Sequence, residues 1–194
     1  ILRSFGMRYS KPYPEDYRKP SNAKEMLAER LVSAVKNVES DYIIGFLDEA
    51  SPQTNDNKQR FWSFAKKRII KNTTKYKANT FGFYPVNGKP VSGFMKDSKK
   101  ESVCEFLRKI REKNPVGTII IILDNFKSHL SSMTRKYAES LNIILVFLPS
   151  YSPDLNPIEQ IWRCIRRKLS QIFVKSERTF LETIKAEFHR LAKK

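Results

Sequence analysis

Three acidic side chains stand where the chain leaves or enters a predicted secondary-structure element. Asp48 ends the apolar run IIGFLD, and Asp124 ends the apolar run IIIILD. Glu159 follows the proline-rich stretch LPSYSPDLNP, at the start of a helical pattern. Carboxylates that meet at one place repel each other, and a divalent cation such as Mg²⁺, which prefers oxygen ligands, removes that repulsion. The three acids therefore suggest a metal-dependent site that acts on phosphate groups.

The predicted elements would bring these acids together. Asp48 and Asp124 each follow a short, continuous apolar run that is typical of a buried strand. In open α/β sheets functional groups gather at the carboxyl ends of strands, so the two aspartates would lie side by side if their strands were parallel neighbours. Asn156 stands where an N-cap belongs and Pro157 at the first helical position, so the loop presents Glu159 rigidly.

Each acid also has an interpretation without catalysis. An aspartate at a strand end often forms a turn, and Glu159, three residues after Asn156, would complete a capping box. The coincidence of two such strand ends, a rigidly presented glutamate and a strongly basic chain favours a site over these local explanations.

The remaining pattern predicts the fold class. A helix begins near Asn22, the runs DYIIGFLD, RFWSF, NTFGFYPV and KPVSGF predict strands, and Asn87-Gly88 predicts a hairpin turn. A helix capped by Ser98 and Glu101 follows, then the strand GTIIIILD, a short helix, the strand NIILVFL and two amphipathic helices. The short helix carries Met133, Tyr137 and Leu141. The order predicts an α/β fold with a mixed sheet flanked by helices, as in a ribonuclease H-like domain.

The charge of the chain indicates a polyanionic partner. Its 194 residues include 37 Lys and Arg against 20 Asp and Glu, a net charge of +17. Residues 57–96 contain no acid, and their basic and aromatic side chains alternate in a way that suits a phosphate backbone. A Lys-rich, well-solvated surface is the alternative. The candidate DNA contacts in this segment are Lys66, Lys67, Arg68 and Lys71.

The ends and the cysteines bound the organisation. Residues 1–21 are basic and contain prolines without periodicity, which predicts a linker from an upstream module, with residues 22–194 as one folded domain. No apolar run approaches the roughly 20 residues that cross a bilayer, so we expect no membrane partner. Cys104 and Cys164 have no metal-type spacing and suit a reducing compartment.

Three segments resemble the catalytic blocks of mariner-type transposases, and most of all the prokaryotic insertion-sequence branch of these DDE superfamily endonucleases: FLDEAS, ILDNFKSH and LPSYSPDLNPIEQIW. Thirty-four residues separate Asp124 from Glu159, in agreement with that family, and the resemblance extends over residues 42–169. It implies a ribonuclease H-like fold, a catalytic and metal-binding DDE triad of Asp48, Asp124 and Glu159, and two Mg²⁺ (or Mn²⁺) ions.

The resemblance also implies an upstream DNA-binding region that residues 1–21 link to the catalytic domain of residues 22–194. It further implies a reaction and its partners. Hydrolysis frees a 3′-hydroxyl at a transposon end, and the same site then activates that hydroxyl to attack target DNA. We expect Asp48 to bridge both ions, with Asp124 and Glu159 each holding one of them. The partner is double-stranded DNA, namely the terminal repeats and a target for which the family suggests TA. Pairing two ends suits a homodimer, which would be cytoplasmic and nucleoid-associated in a prokaryote or nuclear in a eukaryote.

Neighbours of the triad are candidates for supporting roles. Asn125 and His129 follow Asp124 in a pattern that resembles the family's, and they would orient that acid or contact DNA; a helix cap and a surface histidine are the alternatives. Asn156 and Pro157 support Glu159. Glu49 adjoins Asp48, but strand alternation points it away, so it is left out of the triad.

Basic residues on the predicted Glu159 helix are further candidates for DNA contacts. Arg163 and Arg166 lie four and seven residues after Glu159, on the same helical face, and Arg167 follows them. The alternative for Arg163 is an ion pair with Glu159. Two other functions also stay open: a transposase-derived DNA-binding protein that no longer cuts, and a stand-alone ribonuclease H-like nuclease.

Overall fold

A mixed five-stranded sheet forms the centre of the structure, a computed structural model that describes residues 4–6, 16–36, 38, 41–54, 64, 70 and 74–193. Its strands are β1 (Tyr42–Ala50), β2 (Thr80–Pro85), β3 (Val91–Phe94), β4 (Thr118–Leu123) and β5 (Ile143–Phe147). They lie in the order β3-β2-β1-β4-β5. The β1–β2 and β2–β3 pairs are antiparallel, whereas β1–β4 and β4–β5 are parallel. The predicted mixed sheet is confirmed.

Helices cover both faces of this sheet. They are α1 (Ala23–Lys36), α2 (Lys100–Lys113), α3 (Lys127–Leu130), α4 (Ser132–Ser140), α5 (Ile158–Gln171) and α6 (Glu177–Ala192), with a short 3₁₀ turn at Pro153–Leu155. One face packs against α2 and α4, and the other packs against α1, α5 and α6. None of the helices in the described part of the chain is long and apolar enough to cross a membrane.

The central position of β4 explains its composition. All six of its residues are buried, because β1 and β5 pair with its two edges while helices cover its two faces. A strand in that position has no polar side, so it reads as a continuous apolar run rather than an alternating one. The odd-numbered isoleucines face α2, and the even-numbered ones face α1.

The predicted hairpin between β2 and β3 is present, and its turn is fixed to the neighbouring strand. Gly88 has a φ of 140°, a conformation that L side chains rarely adopt. The Asn87 side chain accepts a hydrogen bond from the Ile44 amide at 2.9 Å and donates one to the Tyr42 carbonyl at 2.8 Å. These two bonds tie the turn to β1, the strand that carries Asp48.

One local prediction was wrong. Helix α2 is preceded by Asp97 rather than capped by Ser98: the Asp97 carboxylate accepts from the Lys99 amide and the Ser102 hydroxyl, while Ser98 donates to Asn79. The predicted short helix is α4, which contains Met133 and Tyr137 and ends at its C-cap Leu141. The predicted strand RFWSF, apart from the exposed Phe64, lies outside the described residues.

Candidate active site

The parallel pairing of β1 with β4 brings Asp48 and Asp124 to the same edge of the sheet. The last paired residues of the two strands are Phe46 and Ile122, and each aspartate lies two residues further on. Asp48 is still within β1 and pairs on its other side with Gly82 of β2. Asp124 follows directly after β4. The side-by-side arrangement predicted from the two apolar runs is therefore what the strand register produces.

Asp48 is held from the α5 face of the sheet by a tryptophan. The indole Nε1 of Trp162 donates a hydrogen bond to Asp48 Oδ2 at 3.0 Å. Trp162 is 1% exposed, and its ring packs against Phe188 with the centroids 5.4 Å apart. A Cβ on Gly82 would lie 2.8 Å from the Trp162 ring and 2.5 Å from the Phe188 ring. Glycine at position 82 thus leaves the space in which Trp162 reaches Asp48.

The electrostatics of Asp48 show that the acidic groups gather around it. Burial raises the pKa of Asp48, and the negative charges of Glu159, Glu49 and Asp124 raise it further, to about 8. Glu159 lies three residues before Trp162, one turn towards the start of α5 on the same side of the helix. The charges of Asp124 and Glu159, which lie far from Asp48 in the sequence, therefore act on Asp48 in the fold.

Asp124 is more open and is held by different donors. Its side chain is 52% exposed. Its Oδ1 accepts from the Phe126 amide at 3.0 Å and bonds His129 Nδ1 at 2.8 Å, while its Oδ2 has no hydrogen-bond partner among the described residues. Burial raises the pKa of Asp124, but the hydrogen bond and charge of His129 and the Phe126 amide outweigh burial and lower the pKa below its ordinary value.

His129 connects Asp124 to a fourth acid. The ring is fully buried, and its Nε2 lies 2.8 Å from Glu49 Oε1 while its Nδ1 bonds Asp124. Burial lowers the pKa of His129, but its bonds with Asp124 and Glu49 raise the pKa to about 10. The imidazolium therefore donates from both nitrogens. Of the interpretations made from the sequence, orientation of the acid fits this position, and a surface histidine was wrong.

Glu49 was not among the residues predicted for the site. Strand alternation correctly placed Glu49 on the opposite face from Asp48, but that face is the one on which α3 presents His129. The signal in the sequence was an acid next to Asp48 together with a histidine five residues after Asp124. Asn125 has a separate task, because its Nδ2 donates to the Leu148 carbonyl at 2.8 Å and ties the end of β4 to the segment after β5.

The proline-rich loop delivers Glu159 to the site. Helix α5 begins at Ile158, one residue later than predicted, and Pro157 has a helical φ of −65°. The buried Asn156 accepts from the Ile158 amide through its side chain at 3.4 Å and from the Glu159 amide through its carbonyl at 3.2 Å. The Asn156 amide donates to Pro153 instead of to Glu159, so no capping box forms. The half-buried Glu159 side chain remains available to the site.

The basic candidates on α5 lie beside this glutamate without pairing to it. Arg163 donates to Gln160 Oε1 at 3.0 Å, and within the described residues it makes no ion pair with Glu159. Arg163 and Arg167 are exposed, and Arg166 is half-buried. Among all described residues, no arginine or lysine forms an ion pair with Asp48 or Asp124. The candidates Lys66, Lys67, Arg68 and Lys71 lie outside the described residues.

A cavity of about 360 Å³ opens next to Asp124. It is lined by Asp124, Asn125 and the loop residues 148–153. The segment that precedes α1 contacts this loop from outside: the Arg18 guanidinium lies 3.9 Å from the centroid of the Tyr151 ring, and Lys19 forms a 2.9 Å ion pair with Asp154. The segment before α1 therefore helps to hold the loop that leads to Glu159.

The donor set suits a hard divalent cation. Asp48, Asp124 and Glu159 supply carboxylate oxygens, the Oδ2 of Asp124 faces no competing donor among the described residues, and the raised pKa of Asp48 marks crowded negative charge that a cation would relieve. Across the described ranges no three Asp, Glu, His or Cys side chains already stand where together they could hold a metal ion. Mg²⁺ needs no such cage, since it is usually bound by one or two carboxylates with water and substrate phosphates.

Known proteins are similar to this chain in sequence and in fold. The chain is 41% identical over 49 residues to the transposable element Tc1 transposase of Caenorhabditis elegans, and this aligned segment covers 25% of this chain and 18% of that protein. The structure is similar to Mos1 transposase in a paired-end complex with the left transposon end, with a TM-score of 0.67 at 17% identity, covering 98% of this chain and 64% of that one. The Mos1 catalytic domain with raltegravir and Mg gives 0.61 at 15% identity, covering 93% and 90%.

These comparisons establish the fold and the family. The likeness to Mos1 confirms the ribonuclease H-like sheet flanked by helices, and the chain spans less than two thirds of the Tc1 protein and of the full Mos1 chain. The model of the family described as DDE superfamily endonuclease matches residues 44–181, well over half of the 194 residues. This match includes Asp48, Asp124 and Glu159, and the chain belongs to the DDE superfamily endonucleases.

Proposed function

We propose that this chain is the catalytic domain of a DNA transposase that cleaves phosphodiesters at transposon ends and transfers the freed 3′-hydroxyl strand to target DNA. One observation carries the proposal: Asp48, near the end of β1, is acted on by the charges of Asp124 and Glu159, which come from two other parts of the fold. The membership of the chain in the DDE superfamily endonucleases supports a reaction at phosphodiester bonds.

The acids have distinct tasks in this proposal. Asp48, Asp124 and Glu159 would hold two Mg²⁺ or Mn²⁺ ions, which in such sites stabilise the attacking and leaving oxygens of an in-line displacement. Trp162 fixes one oxygen of Asp48, and His129 fixes one oxygen of Asp124. The proline-rich loop limits the motion of Glu159. Each acid is therefore oriented before substrate arrives, which lowers the cost of assembling the site.

Double-stranded DNA is the partner that the charge supports. The net charge is +17, and α5 carries Arg163, Arg166 and Arg167 on the helix that begins next to Glu159. We assign these arginines to phosphates that flank the scissile bond, with the basic segment at Lys66–Lys71 as a second contact. Two transposon ends require two active sites, which a homodimer would supply. Such a protein would work where its host keeps DNA, in a nucleoid or a nucleus.

The test is a cleavage and joining assay with the purified chain. Labelled DNA that carries the terminal repeats flanking its gene is incubated with Mg²⁺ or Mn²⁺, with and without a target plasmid. We expect nicks at the repeat ends and covalent joining to the plasmid, and neither product with Asp48→Asn. DNA binding without nicks would instead indicate a transposase-derived DNA-binding protein, and nicks without joined products would indicate a stand-alone nuclease.

A further inference from the structure

Glu49 is a buried acid that the proposed reaction leaves without a task. It lies on the α2 face of β1, with its side chain 12% exposed, on the opposite side of the sheet from Asp48. Burying a carboxylate is costly unless it is paired and hydrogen-bonded. Among the described residues, Glu49 Oε1 pairs with the Nε2 of His129, 2.8 Å away. The pairing joins the middle of the sheet to α3, an element of four residues that carries His129.

We propose that Glu49 is a positioning residue which, through His129, sets the orientation of the Asp124 carboxylate and so the cation affinity of the site. This inference rests on the proposed function, because it assigns Asp124 to the cation. It concerns a residue outside the DDE triad. It also makes β1 contribute twice to the site, with Asp48 on one face and Glu49 on the other.

The geometry of His129 supports a directional role. The ring is fully buried, and both nitrogens are engaged at 2.8 Å by carboxylates on opposite sides. A 180° flip of the ring would put its carbons Cδ2 and Cε1 where Nδ1 and Nε2 now lie and would break both contacts, so the Glu49 bond helps to fix the ring orientation in which Nδ1 faces Asp124. The partner that orients a histidine or a carboxylate ligand commonly changes metal affinity or activity by about 10–100-fold when it is removed.

Asp124 needs such support more than Asp48 does. It follows β4 rather than lying within a strand, and its side chain is 52% exposed. Its Oδ1 takes both the His129 bond and the Phe126 amide, which leaves Oδ2 as the oxygen without a partner among the described residues. Without Glu49, the His129 ring loses one of its two anchors and the carboxylate gains rotational freedom. A cation would then have to order Asp124 on binding.

The experiment uses ¹⁵N-histidine NMR on the chain itself, at one pH and without added metal. The chain has only two histidines, so each spectrum contains His129 and an internal reference, His189, whose Nε2 lies 3.3 Å from the Ser92 hydroxyl. We expect slowly exchanging N–H signals from both nitrogens of His129 in the wild type. Glu49→Leu should remove the Nε2–H signal, and Glu49→Gln, which keeps an acceptor oxygen, should retain it with a changed shift.

The functional readouts are the Kd for Mn²⁺, measured by electron paramagnetic resonance, and the Mn²⁺ concentration for half-maximal nicking. We expect both to rise about 10-fold or more in Glu49→Leu and about 3-fold in Glu49→Gln, with DNA affinity unchanged because Glu49 is buried. The matched control is Glu187→Leu, which removes an acid with 16% side-chain exposure and an Arg190 partner on α6. It should leave His129 and the Mn²⁺ requirement as in the wild type.

The outcomes separate the two proposals. A wild-type chain that nicks DNA while Glu49→Leu keeps the wild-type His129 signals or Mn²⁺ requirement would overturn the role of Glu49 alone. A wild-type chain that neither binds Mn²⁺ nor nicks would overturn the proposed function, and the role of Glu49 with it. If Glu49→Leu does not fold, Glu49→Gln decides: an unchanged Mn²⁺ requirement in that variant counts against the inference.

Discussion

Asp48 and Asp124 lie at one edge of one sheet, but the protein holds them in opposite ways. Asp48 is half-buried, and its side-chain donor is the neutral indole of Trp162, so desolvation and neighbouring acids raise its pKa to about 8. The side chain of Asp124 is 52% exposed, and its donor is the imidazolium of His129, so its pKa is lowered although burial alone would raise it. Desolvation, the neighbouring acids and the charge of the donor, rather than the type of acid, separate the pKa values of the two groups.

This difference has a consequence for cation binding. Near neutral pH and without a cation, Asp124 is ionised while Asp48 largely keeps its proton. A carboxylate must lose its proton to act as a ligand, so cation binding is coupled to proton release at Asp48. Four experiments test whether the two aspartates are held in these different ways.

Replacing the aspartates gives the largest effect. In Asp48→Asn and Asp124→Asn we expect cleavage to fall on the order of 10³-fold or more, because each change removes a proposed ligand. Their stabilities should differ: Asp48→Asn removes a half-buried acid among like charges and should raise the metal-free Tm by roughly a few °C, whereas Asp124→Asn weakens the bond to His129 and should lower it. Cleavage assays and thermal melts measure both. Equal Tm changes in the two variants would remove the contrast.

Stability should depend on pH and cation together. Because the folded-state pKa of Asp48 lies above its ordinary 3.8, the folded protein binds more protons than the unfolded chain between pH 4 and 8, and stability falls as pH rises through this window. The raised pKa of His129 contributes stability that is fully present below pH 6.5, the ordinary pKa of histidine. This contribution is lost as the pH rises towards 10. The Tm measured in EDTA should therefore fall as the pH is raised from 6 to 9.

The same melts with Mn²⁺ provide the comparison. A cation favours the ionised form of Asp48, so Mn²⁺ should raise Tm more at pH 8 than at pH 6. Asp48→Asn should show a flatter pH profile in EDTA and little response to Mn²⁺. A metal-free Tm that rises with pH across this range would contradict the assignment of a raised pKa to Asp48.

Gly82→Ala tests the space through which the indole reaches Asp48. The added Cβ would lie within 2.8 Å of the Trp162 ring and 2.5 Å of the Phe188 ring, so one of the rings must move. We expect a loss of about 1–3 kcal/mol in the free energy of unfolding, as for other overpacked cores, together with weaker cleavage. Urea denaturation gives the first quantity. Gly93→Ala is the control, since its nearest neighbour is the flexible end of Met95 at 3.1 Å.

Trp162→Phe should give the smallest effect. It keeps a ring in the core but removes the Nε1–H donor to Asp48, so the expected loss is about 1 kcal/mol in stability. Without that donor the carboxylate is less well oriented, and the Mn²⁺ requirement for nicking should rise. Asp124 should be unaffected, which the unchanged ¹⁵N signals of His129 would show. A change in those signals would mean that the two aspartates are not held independently.

Most of the fold could be predicted from local patterns because the pattern and the environment agree. The apolar run of β4 is continuous since both faces of the strand are covered, and the Asn87-Gly88 pair forms the expected turn. The position of Asp48 beside Asp124 followed from the rule about carboxyl ends of parallel strands. The roles of these residues in catalysis stay proposals.

What the sequence could not supply was which helix packs on which face. Strand alternation placed Glu49 away from Asp48, but only the packing of α3 against β1 shows that His129 lies there. Trp162 was part of a family-like segment, and its bond to Asp48 depends on the glycine at position 82 in another strand. Before α2, the Ser98 hydroxyl donates to Asn79 of another segment, a long-range contact that the local capping pattern does not contain.

The contacts of Arg18 and Lys19 with Tyr151 and Asp154 connect the segment before α1 to the proline-rich loop. These contacts anchor that incoming segment to the loop from which Glu159 emerges. A pull or rotation applied ahead of α1 would thus be transmitted to the glutamate without crossing the sheet.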